Sequence, residues 1–279
     1  MSREHLKIEA SKVQNIVNTG KLNINGQDCD ISAALGLWGS KEYRADDIIG
    51  IDITRYEKAD KPCKYTLLPD GSDTVMFNSK YRTKDKRFLQ KNICILNFAS
   101  SKHPGGGFIN GAMAQEEALC QASNLYDILS RHKDFYEYNR NNLNRGQYTD
   151  GIIFSKDCLF FRNKFKNCEP QLADVITCAA PNFKAARRNL VSVEEINNTM
   201  ARRIEQILKV AIANNVRILA LGAFGCGVFR NDVDFVANTM KTLLIDNEYD
   251  KYFDEIVFPM NESTGKNVSA FLRCFKKYI

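Results

Sequence analysis

Residues 97–117, Asn-Phe-Ala-Ser-Ser-Lys-His-Pro-Gly-Gly-Gly-Phe-Ile-Asn-Gly-Ala-Met-Ala-Gln-Glu-Glu, constrain this chain more than any other stretch. Three consecutive glycines, Gly105, Gly106 and Gly107, follow the apolar run Ile93–Phe98. Two adjacent carboxylates, Glu116 and Glu117, then stand where a helix begins. Glycine admits φ > 0 and lets the backbone approach a ligand closely, so its amides can surround phosphate oxygens. Acids placed just beyond such a loop come within reach of the sugar that the phosphate carries. The combination predicts chemistry on a nucleotide sugar.

A second segment repeats the pattern. The apolar strand Arg217–Leu221 runs into Gly222-x-x-Gly225-x-Gly227, followed by Val228 and Phe229, and Asn231 or Asp232 can cap the next helix. One strand–glycine-loop–helix unit is more often a tight turn than a site; two in one chain reverse those odds. In open α/β sheets, ligands bind beyond the carboxyl ends of strands, and helix N-termini there suit a diphosphate. Phe229 could stack on a ring or serve as a core aromatic. Asn97 could bond a ribose hydroxyl or end its strand. Cys226, between glycines, is the one thiol placed in a binding loop.

The two glutamates cannot share one role. Successive helical side chains diverge by about 100°, so one faces a reacting centre while the other holds substrate or loop. A helix start lowers a carboxyl pKa, whereas general-acid work needs a raised one, from burial and a neighbouring anion. In isolation the pair would merely decorate a first helical turn. Beside the glycines, the catalytic reading prevails. Histidine 103 in the loop is incidental, and Trp38 reads as core.

The remaining sequence frames the site. The segment His5–Thr19 carries a helical stripe ended by Gly20, and Asn25-Gly26 suits a type I′ hairpin turn within Leu22–Ile31. Strands are expected at Ile48–Ile53, Tyr65–Leu68, Thr74–Phe77, Ile93–Phe98, Ile152–Ser155, Leu159–Phe161, Val175–Cys178, Arg217–Leu221 and Ile256–Phe258. Helices are expected at Gln115–Arg131, Val193–Ala213, Asp232–Ile245 and Val268–Ile279, with a loop at Asn139–Asp150. The fold class is α/β: a mixed sheet sandwiched between helical layers, one domain over 1–279 with residues 1–45 as a packed N-terminal extension. Nine cysteines without a C-x-x-C, and three dispersed histidines, predict reduced thiols and no metal site. No apolar run approaches the ~20 residues of a membrane span, and the polar start is no secretory leader, so a soluble cytoplasmic chain is expected. The net charge of +6 favours anionic partners, without a basic block that would suggest direct nucleic-acid binding.

Gly105-Gly106-Gly107, seven residues, then Gln115-Glu116-Glu117 resembles the signature of the microbial-type poly(ADP-ribose) glycohydrolases, a branch of the macrodomain superfamily. The run Leu96-Asn-Phe-Ala-Ser to Ala-Leu-Cys120 and the segment Gly222-Ala-Phe-Gly-Cys-Gly-Val-Phe-Arg-Asn-Asp232 extend the resemblance. It implies a macrodomain-like three-layer α/β/α fold and hydrolysis of ribose–ribose bonds in poly(ADP-ribose), releasing ADP-ribose without a cofactor. By position, Glu117 would protonate the leaving oxygen and then activate water, and Glu116 would orient ribose hydroxyls. Asn97, Gly105–Gly107, Phe108, Gln115, Gly222, Gly225, Cys226, Gly227, Val228 and Phe229 would bind substrate. Partners would be poly(ADP-ribose) or ADP-ribosylated proteins, met by a monomer. The rival readings are a non-catalytic ADP-ribose reader and a hydrolase of mono-ADP-ribosyl or O-acetyl-ADP-ribose adducts.

Overall fold

The alternation of side chains along one strand explains the layering. In the apolar run Ile93–Phe98, Cys94 and Leu96 enter one core while Ile93 and Ile95 enter another. Ile256 and Phe258 against Val257 do the same, as do Ile176 and Cys178 against Ala173 and Val175. Strands with apolar side chains on both faces must be covered on both. The sheet is therefore flanked by helices on each side.

The computed structural model describes residues 1–78, 80–81, 93–260 and 265–279. In chain order its elements are α1 (Arg3–Thr19), β1 (Lys21–Ile24), β2 (Gln27–Asp30), α2 (Ser32–Leu35), β3 (Gly39–Tyr43), α3 (Ala45–Ile49), β4 (Lys64–Leu68) and β5 (Ile93–Phe98). Then come α4 (Gln115–Ala122), α5 (Leu125–Ser130), α6 (Lys133–Asn141), β6 (Ile152–Asn163), β7 (Lys166–Cys178), α7 (Phe183–Arg188) and α8 (Val193–Ala213). The last are β8 (Ile218–Ala220), α9 (Val233–Lys241), β9 (Glu255–Pro259) and α10 (Gly265–Phe275). The main sheet has the order β3-β6-β7-β5-β8-β9-β4, antiparallel across β3-β6-β7 and parallel from β7 to β4. The expected mixed α/β architecture is the observed one.

The parallel half matters for function. It brings the carboxyl ends of β5, β8, β9 and β4 to one rim, where the segments after them meet. Helices α8, α9 and α10 border one core, and α1, α4 and α5 the other.

Several local expectations change. The segment Ile48–Ile53 is no strand: Asp47 accepts from the Arg44 amide and Asp52 from the Thr54 amide, turning the backbone into α3 and a 3₁₀ turn. Thr74–Phe77 is also a 3₁₀ turn, fastened by Thr74 Oγ1 to the Gly71 carbonyl. The single helix expected over Gln115–Arg131 breaks at Ser123–Asn124. There Ser123 Oγ bonds the Leu119 carbonyl, and Asn124 Oδ1 accepts from the Leu159 amide of β6. Short polar side chains offered the backbone an alternative to the helix, and a neighbouring strand took it. The two strands expected at Ile152–Ser155 and Leu159–Phe161 are one, bulged between Ser155 and Cys158. The expected loop Asn139–Asp150 begins inside α6, and Asp232–Ile245 ends in a π turn over Thr242–Asp246.

The N-terminal helix and hairpin form as expected, with positive φ at both Asn25 and Gly26. Helix α1 is more than an appendage. The Gly111 backbone comes so close that a Cβ there would sit 2.2 Å from the Arg3 carbonyl oxygen, and Arg3 Nε bonds the Asn110 carbonyl at 2.8 Å. Gln121 of α4 donates to the Leu6 carbonyl. An ion pair between Glu9 and Arg162 of β6, both nearly enclosed, anchors the helix to the sheet. Removing one partner of a buried pair strands the other charge, at about 3–5 kcal/mol. Glu9→Ala should therefore lower the unfolding free energy by that amount in denaturant titration; a loss below about 1 kcal/mol would show that the pair anchors little.

Candidate active site

The site is built by three successive side chains at the start of α4. Gln115 Oε1 accepts from the Phe98 amide at 2.8 Å, and its Nε2 donates to the Leu96 carbonyl at 2.7 Å. Strand β8 pairs with β5 only as far as Ile95, so the Gln115 amide completes the ladder that β8 leaves unfinished. Gln115 thus pins the helix start to the end of β5.

Glu116 turns inward. It is 3% exposed, accepts from the Ser100 amide at 2.7 Å and from Asn97 Nδ2 at 3.3 Å, and also takes a bond from the Gly105 amide. Burial pushes its carboxyl up to about 8, against the pull of those donors and with a smaller push from Glu117. Asn97 is itself fully buried and also bonds Thr177 Oγ1 at 3.2 Å.

Glu117 occupies the third helical position and folds back. Its Oε2 accepts from the Ala114 amide at 2.9 Å, closing a capping interaction, and its Oε1 accepts from the Gly107 amide at 2.8 Å. It is 7% exposed. The carboxyl that burial raises is that of Glu116, the acid to which the resemblance gives the orienting role.

The triple glycine closes over both carboxyls. Gly105 and Gly106 have φ of 64° and 59°. A Cβ on Gly106 would lie 2.5 Å from Glu117 Oε1 and 3.0 Å from Glu116 Oε2. The amides of Gly106 and Phe108 bond the carbonyls of His103 and Gly105. The donors of this loop, expected to face phosphate, are thus directed at the two acids and at the loop itself. Phe108, expected to touch substrate, is instead fully buried against Tyr126, because the chain turns inward after Gly107.

The second glycine loop is different. Its turn is held by Phe224 to Gly222, Cys226 to Ala223 and Arg230 to Gly227 backbone bonds, and by Asn231, whose Nδ2 bonds the carbonyls of Pro181 and Gly225. The amides of Gly225, Gly227, Val228 and Phe229 find no acceptor among the described residues. Gly225 must be glycine: φ is 73° and a Cβ would lie 2.5 Å from that of Ala180. Gly222 backs onto the Phe98 ring. Burial pushes the Cys226 thiol up to about 12, which leaves it protonated and a poor nucleophile.

These parts enclose a cavity of about 500 Å³ at the carboxyl ends of the parallel strands. One wall carries Met113, Ala114, Gln115 and Ala118; the facing wall carries Gly225, Gly227, Val228 and Phe229. Neither glutamate is among its lining residues, but Ala114, which is, holds the Glu117 carboxylate. At about 100° per residue, Glu117 stands nearer than Glu116 to the lining positions 114, 115 and 118. Phe229 lines the cavity with Tyr148 behind it, ring centroids 5.9 Å apart. Gly71–Asp73, Pro259, Met260 and Asn267 complete the walls. Sequence reasoning missed these; the Asp70-Gly71 turn following the Tyr65–Leu68 strand was the one available signal, and Asn267 offered none. Among the described residues no cluster of His, Cys, Asp and Glu is arranged to hold a metal ion, and no helix is long and apolar enough to cross a membrane.

Comparison with known proteins agrees with this geometry. The family model of the microbial-type PARG catalytic domain (PARG, poly(ADP-ribose) glycohydrolase) matches residues 12–163. Among solved structures, PARG from Thermomonospora curvata superposes with a TM-score of 0.86 at 29% identity, covering 98% of this chain and 100% of that one. The same enzyme bound to the inhibitor ADP-HPD gives 0.84 at 28% identity, covering 97% and 99%. PARG from Deinococcus radiodurans in complex with ADP-ribose gives 0.73 at 28%, covering 86% of this chain and 96% of that one. No curated protein matches the chain by sequence.

Two outcomes follow from the clasp. Gly106→Ala places an L side chain in a left-handed backbone, at roughly 1–2 kcal/mol, and drives its methyl into Glu117. Its melting temperature should fall and its activity with it; a fully stable, fully active variant would contradict the clasp. Glu116 is raised in the folded state, so the folded protein holds a proton that the unfolded chain releases. Stability is full below about 4.5 and is lost as pH climbs towards about 8, by at most ~1.4 kcal/mol per pH unit. The melting temperature of Glu116→Gln relative to the parent should rise between pH 5 and 8.5. A flat difference across that range would mean that Glu116 is solvated.

Proposed function

The chain belongs to the family of microbial-type poly(ADP-ribose) glycohydrolases, and on that premise we propose that it cleaves ribose–ribose bonds of poly(ADP-ribose) through Glu117. One observation carries the reading. Two enclosed carboxyls, clasped by Gly105–Gly107, adjoin a cavity lined on its other side by residues whose amides have no acceptor among the described residues. The relatives named above supply the ligand class: one was solved with ADP-ribose, another with the inhibitor ADP-HPD.

In this mechanism the diphosphate of the terminal unit lies along the Gly225–Phe229 amides. Glu117 gives its proton to the bridging oxygen as the glycosidic bond breaks, so the departing chain leaves as a neutral alcohol. The sugar left behind develops oxocarbenium character, which the adjacent diphosphate stabilises. Glu117, now a carboxylate, takes a proton from water as the water oxygen attacks the anomeric carbon. ADP-ribose is released and the acid is restored. One residue plays both parts, unlike the separated carboxylate pairs of most glycosidases.

Glu116 has the supporting role. Pushed towards its neutral form by burial, it has a proton to offer a ribose hydroxyl. Asn97 fixes its orientation. Phe229, braced by Tyr148, forms the floor under the reacting ribose. The acting form in this reading is a cytoplasmic monomer.

The test is release of ADP-ribose from an automodified polymerase, with mono-ADP-ribosylated protein and O-acetyl-ADP-ribose as parallel substrates. Turnover of the polymer is expected to exceed that of both. Glu117→Gln should lower kcat by about 10²–10⁴-fold while ADP-ribose binding, read by calorimetry, stays within a few-fold. Polymer hydrolysis by that variant at the parent rate would remove Glu117 from the mechanism, and ADP-ribose binding without any turnover by the parent would favour a reader.

A further inference from the structure

Beside the catalytic cavity lies a second one of about 730 Å³, lined by Phe183, Lys184, Arg187, Arg188 and Arg230. Four of its five lining residues are cations, and no carboxylate lines it. None of the four forms an ion pair with a carboxylate among the described residues. Arg187 has a partner of another kind, the Val191 carbonyl at 2.7 Å. Across the chain as a whole, 39 basic residues face 33 acidic ones. Four gathered around one depression without any is a local excess, and an excess of this kind attracts polyanions.

The placement is what gives the cluster meaning. Phe229 lines the catalytic cavity and Arg230, the next residue, lines the basic one. Arg230 has φ of 60°, so the chain reverses between the two and sends successive side chains to different hollows. Helix α7 is tied to the same loop: Asn231 Nδ2 bonds the Pro181 and Gly225 carbonyls, and Asn182 caps α7 through the Ala185 amide. The basic hollow is thus rigidly coupled to the loop that offers its amides to a diphosphate. An occupant of the first site that continues beyond it along this side meets cations.

We propose that this basic hollow is a secondary binding site for the diphosphates of polymer units beyond the one being cleaved, with Phe183 available to an adenine edge. The inference rests on the proposed glycohydrolase reading for its ligand. Each repeating unit brings another diphosphate, so the occupant is a polyanion suited to a cluster of cations. Such contacts act through charge and are weakened by salt. They raise affinity for long chains and leave the chemistry at the chain end untouched.

The experiment uses Lys184→Glu/Arg188→Glu. Both residues are exposed, and Arg187 and Arg230 stay in place to keep the local backbone contacts. KM for long poly(ADP-ribose) should rise by roughly tenfold at low salt, with kcat and the kinetics on di(ADP-ribose) within twofold of the parent. The salt dependence of the long-chain KM should flatten. Lys184→Gln/Arg188→Gln should shift it in the same direction by less. A parallel measurement places both charge-reversal changes in Glu117→Gln and follows binding of long polymer and of ADP-ribose directly. There the polymer should weaken and ADP-ribose should not. Unchanged long-chain binding would overturn the proposal, and so would single-stranded RNA of equal length competing as well as the polymer. If the parent releases no ADP-ribose, the glycohydrolase reading fails, while the binding measurement still decides the hollow.

Discussion

Two carboxyl groups, adjacent in sequence, are buried side by side, and the rest of the site is arranged around making that tolerable. An unpaired charge inside a protein costs several kcal/mol, so buried acids either find donors or stay protonated. Here both acids find donors, and burial outweighs those of Glu116. Glu117 meets the amides of Gly107 and Ala114, and Glu116 lies deeper and is pushed towards its neutral form. The glycine loop can supply those amides because Gly105 and Gly106 reach left-handed backbone and carry no Cβ to strike the oxygens. Gln115 then fixes the helix start by finishing the hydrogen bonding of β5. Three consecutive residues thus hold strand, loop and helix together at one point.

The two glycine-rich loops divide the work. The first turns its donors inward and holds the acids; the second leaves several amides of cavity-lining residues without an acceptor among the described residues. They meet because the parallel half of the sheet sets the carboxyl ends of β5 and β8 side by side. Helix α1 supports the arrangement from behind, with its first turn under the Gly111 turn and its Glu9 locked to Arg162 of β6. The N-terminal helix is thus a buttress of the glycine loop. On the other side, Asn231 couples the second loop to α7 and its cations, so the cleft has a basic shoulder on one flank.

Legibility in the sequence followed how local each interaction is. The helix Val193–Ala213 and the hairpin turn at Asn25-Gly26 could be read directly, because apolar periodicity and paired positive φ are properties of short segments. Ile48–Ile53 misled because its apolar residues fit a strand, while Asp47 and Asp52 turned the backbone through side-chain bonds. The helix over Gln115–Arg131 misled because its break at Asn124 is imposed by β6, a strand over 30 residues further on. Phe108 carried no sign in its neighbours that it would fold into the core.

The sequence by itself determined that a glycine triplet would precede an acidic pair at a helix start, and that a second glycine loop would follow another strand, since both are matters of residue type and spacing. It could not determine that the carboxyl of Glu116 would be raised. That depends on depth, and depth is set by how Asn97, Ser100 and the Gly105 amide close around Glu116 once the sheet has formed. Nor could it reveal that Lys184, Arg187, Arg188 and Arg230 share one hollow, because more than 40 residues of chain separate Arg230 from the others. Charge states and long-range neighbours are consequences of solvent exclusion and packing, and these exist only in the folded molecule.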